Sequence, residues 1–202
     1  FTEVQNVSGY RVQVELVRFY LSDLRLTQGS NSAQLAEISL IDITNGPIET
    51  LVNANVGSWS GLSMGLGVRT DLNHSDPTLY ANDHPLSASN GMHWDWVDEY
   101  IFTKFEGRHG TLVGSSGAFP NTFSIHTGFD TAYAHIDLLP AVPYNVIKGD
   151  TTTIHVHIAI DRFFHSDEGG TIDLADEYFS HGMNVPLSMK LSGNVKNSFT
   201  VD

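Results

Sequence analysis

The segment RVQVELVRFYLSDLRL, residues 11–26, has the alternating pattern of apolar and polar side chains that is typical of a β-strand. Apolar residues stand at positions 12, 14 and 16, and the pattern then moves to positions 17, 19 and 21. A shift of one residue indicates a β-bulge, because a bulge inserts one extra residue into a strand. The segment therefore predicts a bulged strand with one face in the core.

The same period of two recurs along most of the chain. Residues 37–44 form a second strand candidate that ends at the turn sequence NGP. In WSGLSMGLGV, residues 59–68, apolar side chains share one face and glycines occupy the other. Glycines inside a strand predict the close approach of a neighbouring group. Further strands are predicted in residues 92–105, 122–128, 132–138 and 151–164. Residues 171–184 are predicted to be a short helix or irregular.

Strands joined by long loops, without internal repeats, are typical of an antiparallel β-sandwich. The sequence therefore predicts an all-β fold of this kind with little helix. A chain of 202 residues can bury a substantial core, and all-β units of this length are commonly single domains. We expect residues 1–202 to form one domain.

Composition restricts both the partners and the chemistry. The formal net charge of −13 disfavours nucleic acid and anionic membranes as partners. The chain has ten histidines and no cysteine, so a metal would be held by imidazole, carboxylate, thioether or backbone oxygen. No apolar run is long enough to span a membrane, and no segment of the sequence has the pattern of a signal peptide, so we expect a trimmed or mature product. No nucleophile elbow or phosphate-binding loop is present, and we do not expect an enzyme.

Residues 69–91 are predicted to form a long loop, and such loops are usually functional when they are ordered. The D-x-N-x-S spacing from Asp71 resembles the start of an EF-hand, but aspartate replaces the turn glycine and asparagine replaces the final glutamate. An EF-hand is therefore excluded, while calcium that orders the acidic loop stays open as a cofactor. His74 and His84 add two ligand candidates to this loop.

The segment MHWDW, residues 92–96, concentrates aromatic and ligand-capable side chains. In an extended strand, Met92, Trp94 and Trp96 would share one face. The other face would carry His93 and Asp95. Two interpretations stay open: the tryptophans anchor a core while the histidine lies at a solvated edge, or the segment belongs to a site.

Other histidines stand on predicted strands. His126, in TFSIHTG, is expected to point outward or to lie at a rim. His155 and His157 share one strand face at a spacing that could chelate a metal, but a solvated face explains them equally well. We predict that replacing both leaves the fold and metal binding intact. His109 is interpreted as a surface histidine.

Four segments, in order, resemble the motifs of one family. VELVRFYLSDLRL resembles the family's opening strand, and SGLSMGLGV with LNHSDP resembles its glycine-rich strand and the following loop. GMHWDW with YIFTKFEG is similar to the hallmark GMxWxW…GYxFxKxEG, and FSIHTG is similar to a following fxyHxG. The chain thus resembles the MbnP-like family of copper-binding proteins, which bacteria secrete or export to the periplasm.

This resemblance implies a β-sandwich that holds copper through histidines, in some members with a kynurenine that a dihaem peroxidase-like partner makes from tryptophan. Carried to this chain, the motif tryptophans are Trp94 and Trp96, and the later histidine is His126. His93 stands at a variable motif position and adds a ligand, while the two loop histidines are reserve ligands. Cu⁺ suits two imidazoles with a neutral third donor, although Cu²⁺ also binds imidazole. A glutamate, Glu99, replaces the family's usual glycine before the motif tyrosine.

The resemblance implies copper uptake or storage without catalysis, in the periplasm or at the cell surface. Two other functions fit the residues. Trp59, Trp94 or Trp96 could form an aromatic surface that recognises a glycan or a protein. Alternatively, calcium could order the long loop of a structural domain.

Overall fold

The long strand β2 (Arg11–Gln28) organises the molecule. In a computed structural model, which describes residues 2–110 and 116–202, this strand of 18 residues pairs with four others. Phe1 lies outside the described residues. The other strands are β1 Thr2–Gln5, β3 Asn31–Asp42, β4 Gly57–Trp59, β5 Gly61–Leu66, β6 His93–Trp94, β7 Glu99–His109, β8 Asn121–Gly128, β9 Ala134–Leu138, β10 Tyr144–Val146, β11 Val156–Ile158, β12 His165–Ser166, β13 Gly170–Thr171, β14 Phe179–His181 and β15 Phe199–Val201.

The bulge that the alternation predicts is present in β2. The pairing of β2 with β7 shifts its register between Val14 and Leu16. Beyond this shift, Val17 and Phe19 are buried in the core, as the change of phase predicts. Because a bulge increases local twist, the strand bends. Its first half pairs with β1 and β7, and its second half pairs with β3 and β5.

The largest sheet has nine strands. Its central order is β14-β8-β7-β2-β5-β9, with β1 and β3 also paired to β2 and with β6 paired to β7. Of the described strand pairs, β8 with β14 is parallel and the others are antiparallel. The prediction of an all-β fold with little helix is confirmed.

The described helices are few and short. They are α1 Thr70–Asn73, α2 Val185–Lys196 and the 3₁₀ turns Pro77–Leu79, Ala88–Asn90, Asp130–Ala132 and Ile160–Phe164. The prediction of a short helix or irregular chain in residues 171–184 is wrong at its end, because β14 forms there and pairs with β8. These three residues adopt strand geometry because they pair with β8, and not because of a pattern in their own sequence.

Helix α2 follows β14 in the chain and packs against β8, the strand with which β14 pairs. Asn184 caps the helix by accepting a hydrogen bond from the backbone of Leu187 at 3.2 Å. Leu187, Leu191 and Val195 recur every four residues and are buried on one helix face. This face packs against the same core as Phe123 of β8.

The glycines of β5 admit bulky neighbours, as the sequence predicts. Leu62 and Met64 are buried on the apolar face. On the other face, a Cβ atom at Gly65 would overlap the hydroxyl group of Tyr133. Only glycine leaves room for that ring against the strand.

The strand predicted over residues 151–164 is mostly wrong. Only Val156–Ile158 forms a strand, and it pairs with the three residues of β15. Val156 is exposed, and residues 160–164 form a 3₁₀ turn. Alternation alone did not produce a strand here because few residues of a partner strand lie beside it.

Candidate metal centre

Three adjacent strands bring five polar side chains to one face of the sheet. The register places His126 of β8 opposite both Lys104 of β7 and His181 of β14. In the next row, Ser124 of β8 lies opposite Glu106 of β7. Since side chains alternate between faces, this group lies on the side of the sheet opposite the apolar core residues of β8.

His126 and His181 are direct cross-strand neighbours, and their rings stack. The ring centroids are 4.4 Å apart and the ring planes differ by 4°. Both Nε2 atoms lie close to Ser124 Oγ, at 3.2 Å for His126 and 3.3 Å for His181. The strands therefore gather two imidazole groups, which are good copper ligands, around one hydroxyl.

A carboxylate orients the buried member of the pair. The distance between His126 Nε2 and Glu106 Oε1 is 2.6 Å, so Nε2–H donates to the carboxylate. This bond leaves the lone pair of the neutral ring on Nδ1. His126 is only 6% exposed, and its Nδ1 is buried without a hydrogen-bond partner among the described residues. An unpaired buried polar atom costs about 1–3 kcal/mol, and a ligand on Nδ1 would remove that cost.

The surroundings favour the neutral form of His181. Burial, followed by the neighbouring ring of His126, lowers the pKa of His181 from its usual value. The hydrogen bond from His126 lowers the pKa of Glu106, against the opposing effect of partial burial. The carboxylate is therefore ionised and able to hold the His126 ring, while His181 keeps a free lone pair at neutral pH.

Trp94 packs against the backbone that follows each of the two histidines. Its indole covers Gly128, two residues after His126, and Gly182, the residue after His181. A Cβ atom on Gly182 would lie 2.6 Å from Trp94 Cη2, and one on Gly128 would lie 2.8 Å from the same atom. Both glycines are therefore needed for the indole to reach this position. The structure brings Trp94 to the chain positions that follow both histidines.

The extended geometry expected for MHWDW ends at Trp94. The next four residues turn, and Trp96 is 55% exposed instead of sharing the buried face. Trp96 still contacts Trp94, with ring centroids 5.8 Å apart. His93 points to the opposite face from Trp94 and packs against the ring of Tyr100 at 5.0 Å. Its side chain is 6% exposed, which does not fit the interpretation that placed it at a solvated edge, and its described contacts share no residue with those of His126.

The two loop histidines lie apart from this centre. His74 lies between two carboxylates, with Nδ1 3.9 Å from Glu99 and Nε2 3.8 Å from Asp130. His84 stacks on Tyr80 with ring centroids 4.3 Å apart, and its Nδ1 accepts a backbone hydrogen bond at 3.1 Å. His84 thus has a role in ordering the loop, and the described contacts do not connect either residue with His126.

The polar side chains of the loop do not converge on one point, as a calcium site would require. Asp71 forms an ion pair with Arg69 at 2.8 Å. Asn73 is buried, and Asp76 accepts a hydrogen bond from the backbone of Thr78 at 2.8 Å. Each candidate ligand therefore already has its own partner.

The remaining histidines divide into exposed and buried ones. His155 and His157 are exposed, as expected for a solvated face, and His157 Nε2 lies 2.8 Å from Asp202. The interpretation of His109 as a surface residue is wrong, since it is 5% exposed and its Nδ1–H donates to the carbonyl oxygen of Gly110 at 2.8 Å. The strand position next to the core accounts for its burial.

Within residues 2–110 and 116–202, no group of three or more histidine or acidic side chains has the arrangement of a metal site. The candidate centre therefore offers two imidazole nitrogens as ligands, one from His126 and one from His181. The carboxylate of Glu106 is not counted as a ligand, because it accepts a hydrogen bond from His126. Few, uncharged nitrogen ligands suit Cu⁺ better than hard cations such as Ca²⁺.

Sequence reasoning missed His181 and the role of Glu106. The only local signal is a glycine close behind each histidine, Gly128 two residues after His126 and Gly182 directly after His181. Their proximity arises from a parallel strand pair that local periodicity does not report.

Comparison with known proteins agrees with the order of the motifs. The family model described as MbnP matches residues 2–185. The chain belongs to the MbnP family. His126, His181 and Trp94 all fall inside the matched region, so the candidate centre is part of the MbnP domain.

Among solved structures, MbnP from Methylosinus trichosporium is similar to this chain, with 14% sequence identity and a TM-score of 0.42. The similarity covers 77% of this chain, and the chain spans 66% of the length of that protein. No curated protein matches. In the part of the chain that the structure describes, no helix is long and apolar enough to cross a membrane.

Proposed function

We propose that this MbnP-family protein binds copper at His126 and His181 and takes up or stores the metal without catalysing a reaction. The observation that carries the proposal is the buried, unpartnered Nδ1 of His126, whose other ring nitrogen is held by Glu106 at 2.6 Å. A ligand histidine that donates its second N–H to a carboxylate is the usual arrangement at metal centres.

Each residue of the centre has a separate role in this proposal. His126 Nδ1 and His181 are the nitrogen donors, and Glu106 holds the tautomer and orientation of His126. Ser124 lies within hydrogen-bond distance of both rings and restrains them. Burial lowers the pKa of His181, which supports metal binding because only the neutral ring offers a lone pair. When bound, copper would act as a soft Lewis acid, and imidazole nitrogens are suitable ligands for it.

Trp94 is the residue we propose for oxidation to kynurenine, with Trp96 as the alternate. Conversion to kynurenine would break the C2–C3 bond of the indole, release C2 as formate and leave an aniline nitrogen as a neutral third donor. Hydrogen peroxide, the oxidant of a peroxidase, would supply the oxygen atoms and be reduced to water. The position of the Trp94 indole over Gly128 and Gly182 supports this choice, because it lies next to both histidine positions. The oxidation would require a dihaem peroxidase-like partner, and export to the periplasm or cell surface would give access to it.

Competition for Cu⁺ against a chromophoric chelator tests the proposal. His126→Ala and His181→Ala should each weaken affinity by at least about 10- to 100-fold, because even residues behind the ligands contribute that much. The matched control is the double variant His155→Ala/His157→Ala, which removes two exposed imidazoles. Unchanged affinity in both single variants would contradict the proposal, as would a large loss in the control.

Recognition of a glycan or protein through tryptophans has less support. Trp59 and Trp94 are buried, and Trp59 Nε1 donates to the carbonyl oxygen of Asn55 at 3.1 Å. Of the three tryptophans, Trp96 alone is exposed. One exposed ring beside the copper candidates offers a smaller aromatic surface than the sequence suggested.

A further inference from the structure

His93 is a second buried imidazole with an unused nitrogen. Its side chain is 6% exposed, and its Nε2 has no hydrogen-bond partner among the described residues. Its Nδ1 lies 3.3 Å from Asp95 Oδ1, within hydrogen-bond distance. In the neutral ring, a proton on Nδ1 that is donated to Asp95 leaves the lone pair on Nε2. This reproduces the carboxylate–histidine arrangement that orients metal ligands.

A second carboxylate stands in front of that lone pair. Asp98 Oδ1 lies 3.6 Å from His93 Nε2, which is too long for a good hydrogen bond. Two ligands that each lie about 2.1 Å from one ion and 3.6 Å from each other subtend an angle of about 120° at that ion. The separation therefore fits two neighbouring positions of a tetrahedral or distorted metal site better than it fits a direct contact.

The turn that carries Asp98 is built to present its carboxylate. Asp98 adopts a positive φ of 59°, a conformation that costs energy for most residues other than glycine and that asparagine and aspartate tolerate best. Its side chain is 82% exposed, so the carboxylate can exchange an ion with solvent while the imidazole stays buried. Tyr100 fixes the ring of His93 from the side, with an edge-on contact at 5.0 Å.

We propose that His93 and Asp98 hold a divalent first-row transition-metal ion such as Zn²⁺, with Asp95 positioning the imidazole and water completing the coordination. Imidazole with carboxylate favours a divalent ion over Cu⁺, which prefers neutral and soft donors. The site is distinct from the centre at His126, because His93 and Trp94 point to opposite faces of β6. It therefore stands whether or not copper binds at His126.

Zn²⁺ titration of the whole, metal-free chain tests this site by calorimetry, with Co²⁺ spectra as a second readout of coordination. His93→Gln and Asp98→Asn should each reduce Zn²⁺ affinity by at least about 100-fold, and Asp95→Asn by roughly 10- to 100-fold. Asparagine keeps the positive φ at residue 98, so Asp98→Asn should fold even where His93→Gln does not. The matched control is His135→Gln, which removes an exposed imidazole that lies 3.1 Å from Asp137.

The alternative is a charged histidine paired with two carboxylates and no metal. Long-range ¹H–¹⁵N spectra recorded at saturating Zn²⁺ separate the two, because a metal ion on His93 Nε2 displaces any proton there. A proton retained on Nε2 at saturation would overturn the proposal. So would Zn²⁺ affinity in Asp98→Asn equal to that of the unchanged protein. His126→Ala should leave Zn²⁺ binding unchanged, which keeps failure here distinguishable from failure of the copper proposal.

Discussion

The substitution Gly128→Ala should destabilise the protein by pushing Trp94 away from the two histidines. The added methyl carbon would lie 2.8 Å from Trp94 Cη2 and 2.9 Å from the carbonyl oxygen of Tyr100, and it would overlap Trp94 Cζ3. The indole has little space to move away, because it is also packed against Gly182. A Cβ atom built on Gly182 would lie only 2.6 Å from Trp94 Cη2. The ring of Phe129 also lies against it, with centroids 5.6 Å apart.

The size of the effect follows from these contacts. Inserting a carbon into a packed core costs typically about 1–3 kcal/mol. Because a backbone oxygen as well as a ring is overlapped, we expect the upper end, about 3 kcal/mol. For a chain of this length, each kcal/mol lowers Tm by about 2–4 °C, so Tm should fall by about 6–12 °C.

Urea unfolding measures this loss of stability. If the free energy of unfolding depends on urea concentration with the same slope as in the unchanged protein, the substitution has not altered the unfolded state. If the indole is the origin of the strain, Trp94→Ala should relieve part of it. Gly128→Ala should then cost at least about 1 kcal/mol less in the Trp94→Ala background, an interaction energy that a double-mutant cycle reports. A cost below about 0.5 kcal/mol for Gly128→Ala alone, or strict additivity in the cycle, would refute the packing that we describe.

Three further outcomes are expected. Glu106→Gln should keep the fold but weaken Cu⁺ binding by about 10- to 100-fold in the chelator competition, because the His126 ring loses its orienting carboxylate; affinity equal to that of the unchanged protein would contradict this role. Arg25 donates a hydrogen bond to Asp23 and lowers the pKa of that carboxyl from 3.8. Asp23 therefore contributes stability that is present above its pKa in the unfolded chain and is lost as pH falls through its pKa in the folded protein. In Asp23→Asn the urea midpoint should fall less steeply below about pH 4, and a pH curve equal to that of the unchanged protein would show that the Arg25–Asp23 pair contributes no stability. Peptide mass spectrometry of residues 91–107 should find unmodified Trp94 in protein made without the oxidising partner and oxidised Trp94 in protein from the native host; unmodified tryptophan in both would end the kynurenine proposal but not the histidine site.

Those parts of the fold that depend on local pattern could be predicted from the sequence. The phase slip before Val17 predicts the bulge in β2, because a change in side-chain period has a direct structural counterpart. The glycines of β5 likewise predict a close neighbour, which is the ring of Tyr133. In both cases the information lies within a few residues of the feature.

Features that depend on distant pairing could not be predicted in this way. Strand β14 has three residues and gains its geometry by lying parallel to β8. His181 therefore has no local mark of its role, although it completes the histidine pair with His126. In residues 151–164 the opposite error occurred: the period of two predicted a long strand, but only Val156–Ile158 forms one. A strand also needs partner residues along its length.

Burial of polar side chains was the weakest sequence inference at the candidate site. His109 was expected at the surface, and one of the two open interpretations placed His93 at a solvated edge. Both side chains are buried, each with one ring nitrogen within hydrogen-bond distance of an oxygen. The family motif proposes Trp94 and His126 as candidates, and adjacent positions on β6 point His93 to the face opposite Trp94. A motif records residue types, whereas the direction of a side chain depends on where a strand ends.

The central claim is that copper binds to the unpartnered nitrogen of His126 together with His181. Long-range ¹H–¹⁵N spectra of protein with ¹⁵N-labelled histidine, recorded during titration with diamagnetic Cu⁺, test it directly. We predict that the ¹⁵N resonances of His126 Nδ1 and of the His181 ring shift first and saturate together, while those of His155 and His157 stay unchanged. Shifts confined to other histidines, with both rings of the pair unaffected at saturation, would contradict the account.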